Sequence, residues 1–178
     1  MGLTLWLARH GATAWTEQGR FCGWSDLPLN AKGRAQARRL GSRLAGLAFD
    51  GIWTSDLSRA AESSRLAGVR ARPDPRLREL DFGELEGKTW SDLDSGLQDD
   101  LGRFEGFTAP GGESLHQLEE RLGGFLGELP GGDHLIFTHG GVIRLLSRRQ
   151  GRVVAPVPGQ LVIFEWKGTM PAKKVSQP

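Results

Sequence analysis

The chain has 178 residues, 38% hydrophobic and 25% charged, with a net charge of +2 and a single cysteine. That length suits one domain with a substantial core, and the lone thiol, Cys22, excludes an internal disulfide framework. No apolar run approaches the roughly 20 residues that span a bilayer, the N-terminus carries no export signal, and basic residues are scattered, not clustered with aromatics as in a nucleic-acid binder. A cytoplasmic protein is predicted, working without nucleic acid or membrane as monomer or homodimer.

Leu3–Ala8 reads as a short buried strand that runs into Arg9-His10-Gly11. Residues 11–30 mix Gly, Trp and Pro without a period and read as a loop. Asn30 offers a helix N-cap, followed by Ala37, Leu40, Leu44 and Leu47 at helical spacing. "GIWTS" is a second strand, and "DLSRAAESSRLAG" a helix capped by Asp56 or Ser55 and stopped by Gly68. A strand-poor middle contains "PDPRLRELDFGELEGKTW". Ser114 then opens a helix in which Gln117 completes a capping-box pattern and Leu115, Leu118, Leu122, Phe125, Leu126 and Leu129 form one apolar face. "HLIFT" is a third strand with His134 at its entrance, "VIRLLSRRQG" a helix and "QLVIFEW" a last strand. The domain is expected to span residues 1–167, with 168–178 a mobile tail. The six tryptophans are expected in the core or in a pocket wall.

Strands alternating with helices predict a three-layer α/β/α sandwich, a mostly parallel central sheet with helices on both faces. In such sheets ligands bind beyond the carboxyl ends of the strands. Three strands end there in polar pairs: Arg9-His10, Thr54-Ser55 and Thr138-His139. Arg59 joins them from the first turns of the following helix. Two guanidiniums and two helix N-termini make a site for a multiply charged oxyanion, and phosphate matches the guanidinium forks best. A histidine amid that charge is kept neutral and nucleophilic, so an imidazole nitrogen can carry a phosphoryl group covalently. The Gly11 amide is expected to help hold the equatorial oxygens. A leaving alkoxide needs a proton, for which "RELDFGELEG" offers Glu79, Asp81, Glu84 and Glu86; residue chemistry does not rank them.

Other features carry less. His116 and His134 read as solvated or structural, and no spacing of His, Cys, Asp or Glu suggests a metal site. "GELEGKT" is one residue short of a phosphate loop, and "GWSDL" lacks the second glycine of a serine nucleophile elbow.

The ordered set "LARHGATAW", "GRFCGWSDLPLNAKGRAQA", "TSDLSRAAESS", "LRELDFGELEG", "PGGES" and "FTHGGVIRLL" resembles the histidine phosphatase superfamily, the phosphoglycerate-mutase-like group of phosphatases and mutases. The resemblance runs from residue 3 to about 146. It implies a phosphohistidine on His10, a phosphoryl group bound by Arg9, Arg59 and His139, and Glu79 as proton donor. It also implies Gly11, Thr16, Cys22, Gly23 and Gly140 around the phosphate and substrate, with no metal or cofactor. Three positions depart from the family pattern. Ala12 replaces an acidic residue, Thr16 an asparagine, and Ser63 the commoner threonine; the last is expected to matter little.

Two features point to the phosphatase branch: a short connection after the Arg59 helix, where mutases carry an insertion, and Gly-Gly-Val after His139. The compact pattern is similar to α-ribazole-5′-phosphate phosphatases, and sugar-phosphate phosphatases share nearly the same frame. Trp15, Phe21, Trp24 and Phe107 are candidate pocket walls. A phosphoglycerate mutase and a non-catalytic phospholigand-binding module are the alternatives to a hydrolase acting on a small phosphorylated metabolite.

Overall fold

The computed structural model describes residues 2–167. Five strands form one sheet in the order β3-β2-β4-β1-β5, made of β1 (Leu3–Arg9), β2 (Gly51–Thr54), β3 (Arg72–Pro73), β4 (Gly132–Thr138) and β5 (Leu161–Trp166). β1, β2, β3 and β4 run parallel, and β5 pairs antiparallel with β1. The helices are α1 (Ala14–Glu17), α2 (Ala31–Leu44), α3 (Ser58–Leu66), α4 (Ser95–Arg103), α5 (Leu115–Leu126) and α6 (Gly140–Arg149).

Alternation along the strands builds a core on each side of the sheet. Leu5 and Leu7 of β1 and Ile136 of β4 pack with Leu118, Leu122 and Phe125 of α5 and Val142 and Ile143 of α6. Their neighbours Ala8, Leu135 and Phe137 face the other way, toward Leu40 and Leu44 of α2 and Ala67 beyond α3. Each such leucine buried in full contributes about 1.5–3 kcal/mol, so two-sided burial fixes the register of β1 and β4 far more firmly than exposed pairs such as Lys32–Glu17. This is the expected α/β/α sandwich. Parallel pairing brings the carboxyl ends of β1, β2 and β4 to one edge.

Several local expectations change. Residues 11–30 contain α1, held by reciprocal bonds between Thr13 and Thr16. The second helix ends at Leu44, leaving Leu47 half-exposed outside it. α3 has Leu57 as its N-cap with no side-chain cap bond: Ser55 Oγ accepts from Leu57 N, and the Asp56 carboxylate is taken by Arg78. α4 lies unforeseen in the middle segment. His134 sits within β4, and Trp24 and Trp90 are exposed. Asn30 caps α2, and Ser114 and Gln117 form the expected capping box on α5. The tail expected at 168–178 lies outside the described residues.

Candidate active site

β1 delivers Arg9 and His10 to the carboxyl edge of the sheet, and β4 delivers His139 beside them; the two imidazole ring centroids are 5.1 Å apart. Both histidines are buried, His10 3% exposed and His139 not at all. His10 Nδ1 lies 2.7 Å from the Gly11 carbonyl oxygen, which can only accept, so Nδ1 carries the proton and Nε2 the lone pair. Nε2 has no hydrogen-bond partner among the described residues. Neither ring nitrogen of His139 has one either.

Burial, then the Arg59 and Arg9 guanidiniums, hold His10 well below its ordinary value of 6.5. Burial and Arg59 do the same to His139. Both rings are therefore neutral at pH 7, as the sequence suggested.

A cavity of about 260 Å³ opens over this edge. Arg9, His10, Thr16, Cys22, Glu79 and Gly140 line it, and so do Arg20, Phe21, Phe82, Gly19 and Gly141, which sequence reasoning did not place as phosphate contacts. Of the four expected walls only Phe21 takes part. Phe107 is in the core, Trp15 packs on Gly87, and Trp24 stands outside with Arg78 over its ring.

Glu79 is the one carboxylate of the four that reaches the cavity. Its Oε2 accepts from the Gly141 amide at 3.0 Å and its Oε1 from the Leu80 amide. That approach depends on glycine, since a Cβ at position 141 would lie 2.3 Å from Glu79 Oε1. The backbone behind Glu79 is clamped by Arg121, which donates to the carbonyls of Arg76, Arg78 and Glu79 and forms a two-pronged pair with Glu113. Two of the others are spent on backbone, Asp81 accepting from Gly83 N and Glu86 from Trp24 N and Ser25 N, and Glu84 does not line the cavity.

The guanidiniums are tethered. Arg59, wholly buried, donates to the carbonyls of Ser25 and Gly23, so Gly23 lies behind the site as the anchor of Arg59. Arg9 donates to the Pro156 carbonyl, on the connection that enters β5. The Nε atoms of both arginines are buried without a partner. Burial lowers the pKa of Arg9, which Glu79 opposes, yet a guanidinium stays cationic at neutral pH.

Three expected contacts are arranged differently. The Gly11 amide donates to Ser63 Oγ and is not free for a ligand. The Thr16 hydroxyl donates to the Thr13 carbonyl, so its proton is committed to the α1 cap. Of the two helix N-termini, that of α6 lines the cavity through Gly140 and Gly141, with the Gly141 amide taken by Glu79, whereas no first-turn residue of α3 lines it and Asp26 takes the Ser58 amide. Burial pushes the Cys22 thiol up to about 11, so it is not a thiolate nucleophile at pH 7. No group of three or more His, Cys, Asp or Glu able to hold a metal exists among the described residues, and no helix there is long and apolar enough to cross a membrane.

Known proteins share this frame. A solved phosphoglycerate mutase from Thermus thermophilus superposes with a TM-score of 0.87 at 45% identity, covering 95% of this chain and 96% of that one. A solved Escherichia coli K-12 protein provisionally named an alpha-ribazole-5′-P phosphatase gives 0.76 at 26% identity, over 92% and 90% of the two chains. "Probable phosphoglycerate mutase GpmB" of Cronobacter sakazakii is 37% identical over 151 residues, 78% of this chain and 70% of its own. The sequence pattern of the Histidine phosphatase superfamily (branch 1) matches residues 5–153. By the motif order, the sheet and this match, the chain belongs to the histidine phosphatase superfamily.

Proposed function

We propose that the protein is a phosphomonoester hydrolase that works through a covalent phosphohistidine on His10. One observation carries this reading: a buried, neutral imidazole whose Nδ1–H is held by the Gly11 carbonyl and whose Nε2 lone pair is unengaged.

In the first step the Nε2 lone pair attacks phosphorus and the P–O ester bond breaks. The leaving oxygen takes a proton from the Glu79 carboxyl. Positive charge develops on the imidazole and is met by the Gly11 carbonyl at Nδ1–H. Arg9, Arg59 and the neutral His139 hold the equatorial oxygens. In the second step the Glu79 carboxylate takes a proton from water, the water oxygen attacks phosphorus, and the N–P electron pair returns to Nε2. The free ring nitrogens of His139 and the unpaired Nε atoms of the two arginines support these roles, since buried polar groups otherwise find partners.

A cavity of about 260 Å³ suits a small phosphorylated metabolite. α-Ribazole 5′-phosphate is a candidate, supported by the name of the E. coli neighbour, and sugar phosphates are others. The names of the Thermus and Cronobacter relatives favour a second reading, phosphoglycerate mutase, in which the phosphohistidine returns its phosphoryl group to the sugar acid instead of to water.

The test is phosphate release, without added metal, from p-nitrophenyl phosphate, α-ribazole phosphate, sugar phosphates, nucleotides and both phosphoglycerates, by the wild type and His10→Ala. Release that disappears in the variant supports the hydrolase. Interconversion of 2- and 3-phosphoglycerate without release favours the mutase. A folded wild type inert on every substrate favours a binding module.

A further inference from the structure

We infer that Ser63 is a positioning residue for the nucleophile, joining the His10 turn to the helix that carries Arg59. The inference rests on the reading of His10 as nucleophile.

Ser63 lies in α3, one turn after Arg59, and is 1% exposed. Its hydroxyl donates to the Arg59 carbonyl at 2.7 Å, the back-bond a helical serine makes to the residue four before it. That leaves the Oγ lone pairs facing out of the helix, and the Gly11 amide donates to them at 3.0 Å. The other end of Gly11 is its carbonyl, which accepts from His10 Nδ1. One residue is thus gripped at both ends: Ser63 holds its amide, and its carbonyl fixes the tautomer and tilt of the histidine ring.

The turn has no freedom on its opposite side. A Cβ on Gly11 would lie 2.3 Å from the Gly33 carbonyl oxygen, and a Cβ on Gly33 would lie 2.1 Å from that of Ala12. Two glycine backbones in direct contact press the turn against α2 while Ser63 ties it to α3. Without the hydroxyl, the Gly11 amide would be a buried donor with no acceptor, a state that the peptide can relieve only by rotating. That amide belongs to the His10–Gly11 peptide, so its rotation changes the φ of Gly11 and carries the Gly11 carbonyl, in the next peptide, away from Nδ1. The ring can then swing or exchange tautomers, putting the proton on Nε2, where it blocks attack. Ser63 thereby couples nucleophile and clamp, since the same oxygen touches the His10 turn and the Arg59 backbone. A threonine carries the same hydroxyl on the same carbon, so the requirement is for the oxygen and not for serine as such.

The experiment compares wild type, Ser63→Ala and Ser63→Thr, each shown to be folded by circular dichroism, with two readouts. The first is turnover of p-nitrophenyl phosphate separated into kcat and KM. The second is the ¹⁵N chemical shifts of the His10 ring in the free enzyme, which report tautomer without any need for activity. In Ser63→Ala we expect kcat to fall by about tenfold to a hundredfold, the scale of a misplaced reacting group, with KM changed little. The His10 nitrogens should move from a pure Nδ1–H pattern toward a tautomer mixture. Ser63→Thr should keep both properties of the wild type.

Wild-type kcat and an unmixed tautomer in folded Ser63→Ala would overturn the inference. So would equal losses in the alanine and threonine variants with the His10 tautomer intact, because that outcome assigns the effect to packing and not to the hydroxyl. Failure of the His10 reading itself looks different: His10→Ala would retain turnover, whatever the tautomer in Ser63→Ala.

Discussion

β4 carries a buried histidine near its start, His134, and leads to another just past its end, His139. The two are 1% and 0% exposed, so burial does not separate them. Partners do. His134 Nδ1 accepts from the Trp53 indole at 3.3 Å and Nε2 donates to the Pro130 carbonyl at 3.1 Å. Both nitrogens of His139 are empty. At the amino end of the sheet a histidine completes a packed wall, and at the carboxyl end one keeps both ring nitrogens without a protein partner. A buried ring with unspent nitrogens is the structural mark of a site, because leaving a donor or acceptor unpaired costs about 1–3 kcal/mol that the fold must supply elsewhere.

This contrast can be broken by experiment. The largest effect is expected in Glu79→Gln, which keeps a side chain of the same shape against the Gly141 amide and removes the transferable proton: kcat should fall about 10²–10⁴-fold, measured on a substrate with a poor leaving group. Retained kcat would take Glu79 out of the chemistry. His139→Ala should lower kcat about 10²–10³-fold, as loss of one group stabilising the transferring oxyanion does. It should cost little stability, because no hydrogen bond is broken. His134→Leu should do the reverse. Stability to urea should drop by about 1–3 kcal/mol as Trp53 and Pro130 lose their partner, with activity per folded molecule unchanged. If His134→Leu lost activity while keeping its stability, the distinction between the two ends of β4 would fall.

A pH dependence tests the same rings without mutation. His10 and His139 are held well below 6.5 in the folded protein, so on acidification the unfolded chain takes up protons that the folded one does not. Their contribution to stability is complete above about pH 6.5 and is lost as pH falls toward the folded-state values, at up to about 1.4 kcal/mol per pH unit for each ring. Urea titrations at pH 7.5, 6 and 5 should show this slope in the wild type, and a shallower one in a His10→Ala, His139→Ala double variant. Equal slopes in the two proteins would mean that these rings do not stay neutral.

Much of this arrangement is legible in the sequence because its causes are local. Short apolar runs in Leu3–Ala8 and 135–137 mark the two central strands, and Asn30 and Ser114 cap the helices that follow them. What escapes depends on distant partners. Helix α4 turns only Leu97 and Leu101 of its nine residues to the core, an i, i+4 pair too short to stand out among Gly, Asp and Arg. Asp56 looks like a cap until Arg78, 22 residues on, claims it. The Gly11 amide looks free until Ser63, 52 residues away, accepts from it. On residue chemistry alone, without the family resemblance, ranking Glu79 over Asp81, Glu84 and Glu86 needs the Gly140-Gly141 opening and the Arg121 clamp, neither of which can be seen in "RELDFGELEG". Pro156, which tethers Arg9, lies beyond the residues matched to the superfamily.

The central claim is that His10 Nε2 carries the phosphoryl group. It is tested most directly by quenching the enzyme in alkali during turnover and examining it by ³¹P NMR and peptide mass spectrometry. The expected product is one acid-labile N–P phosphoryl group on the His10 peptide, attached at Nε2 and missing from His10→Ala. Steady turnover with no phosphorylated His10, or with the group on another residue, would contradict it.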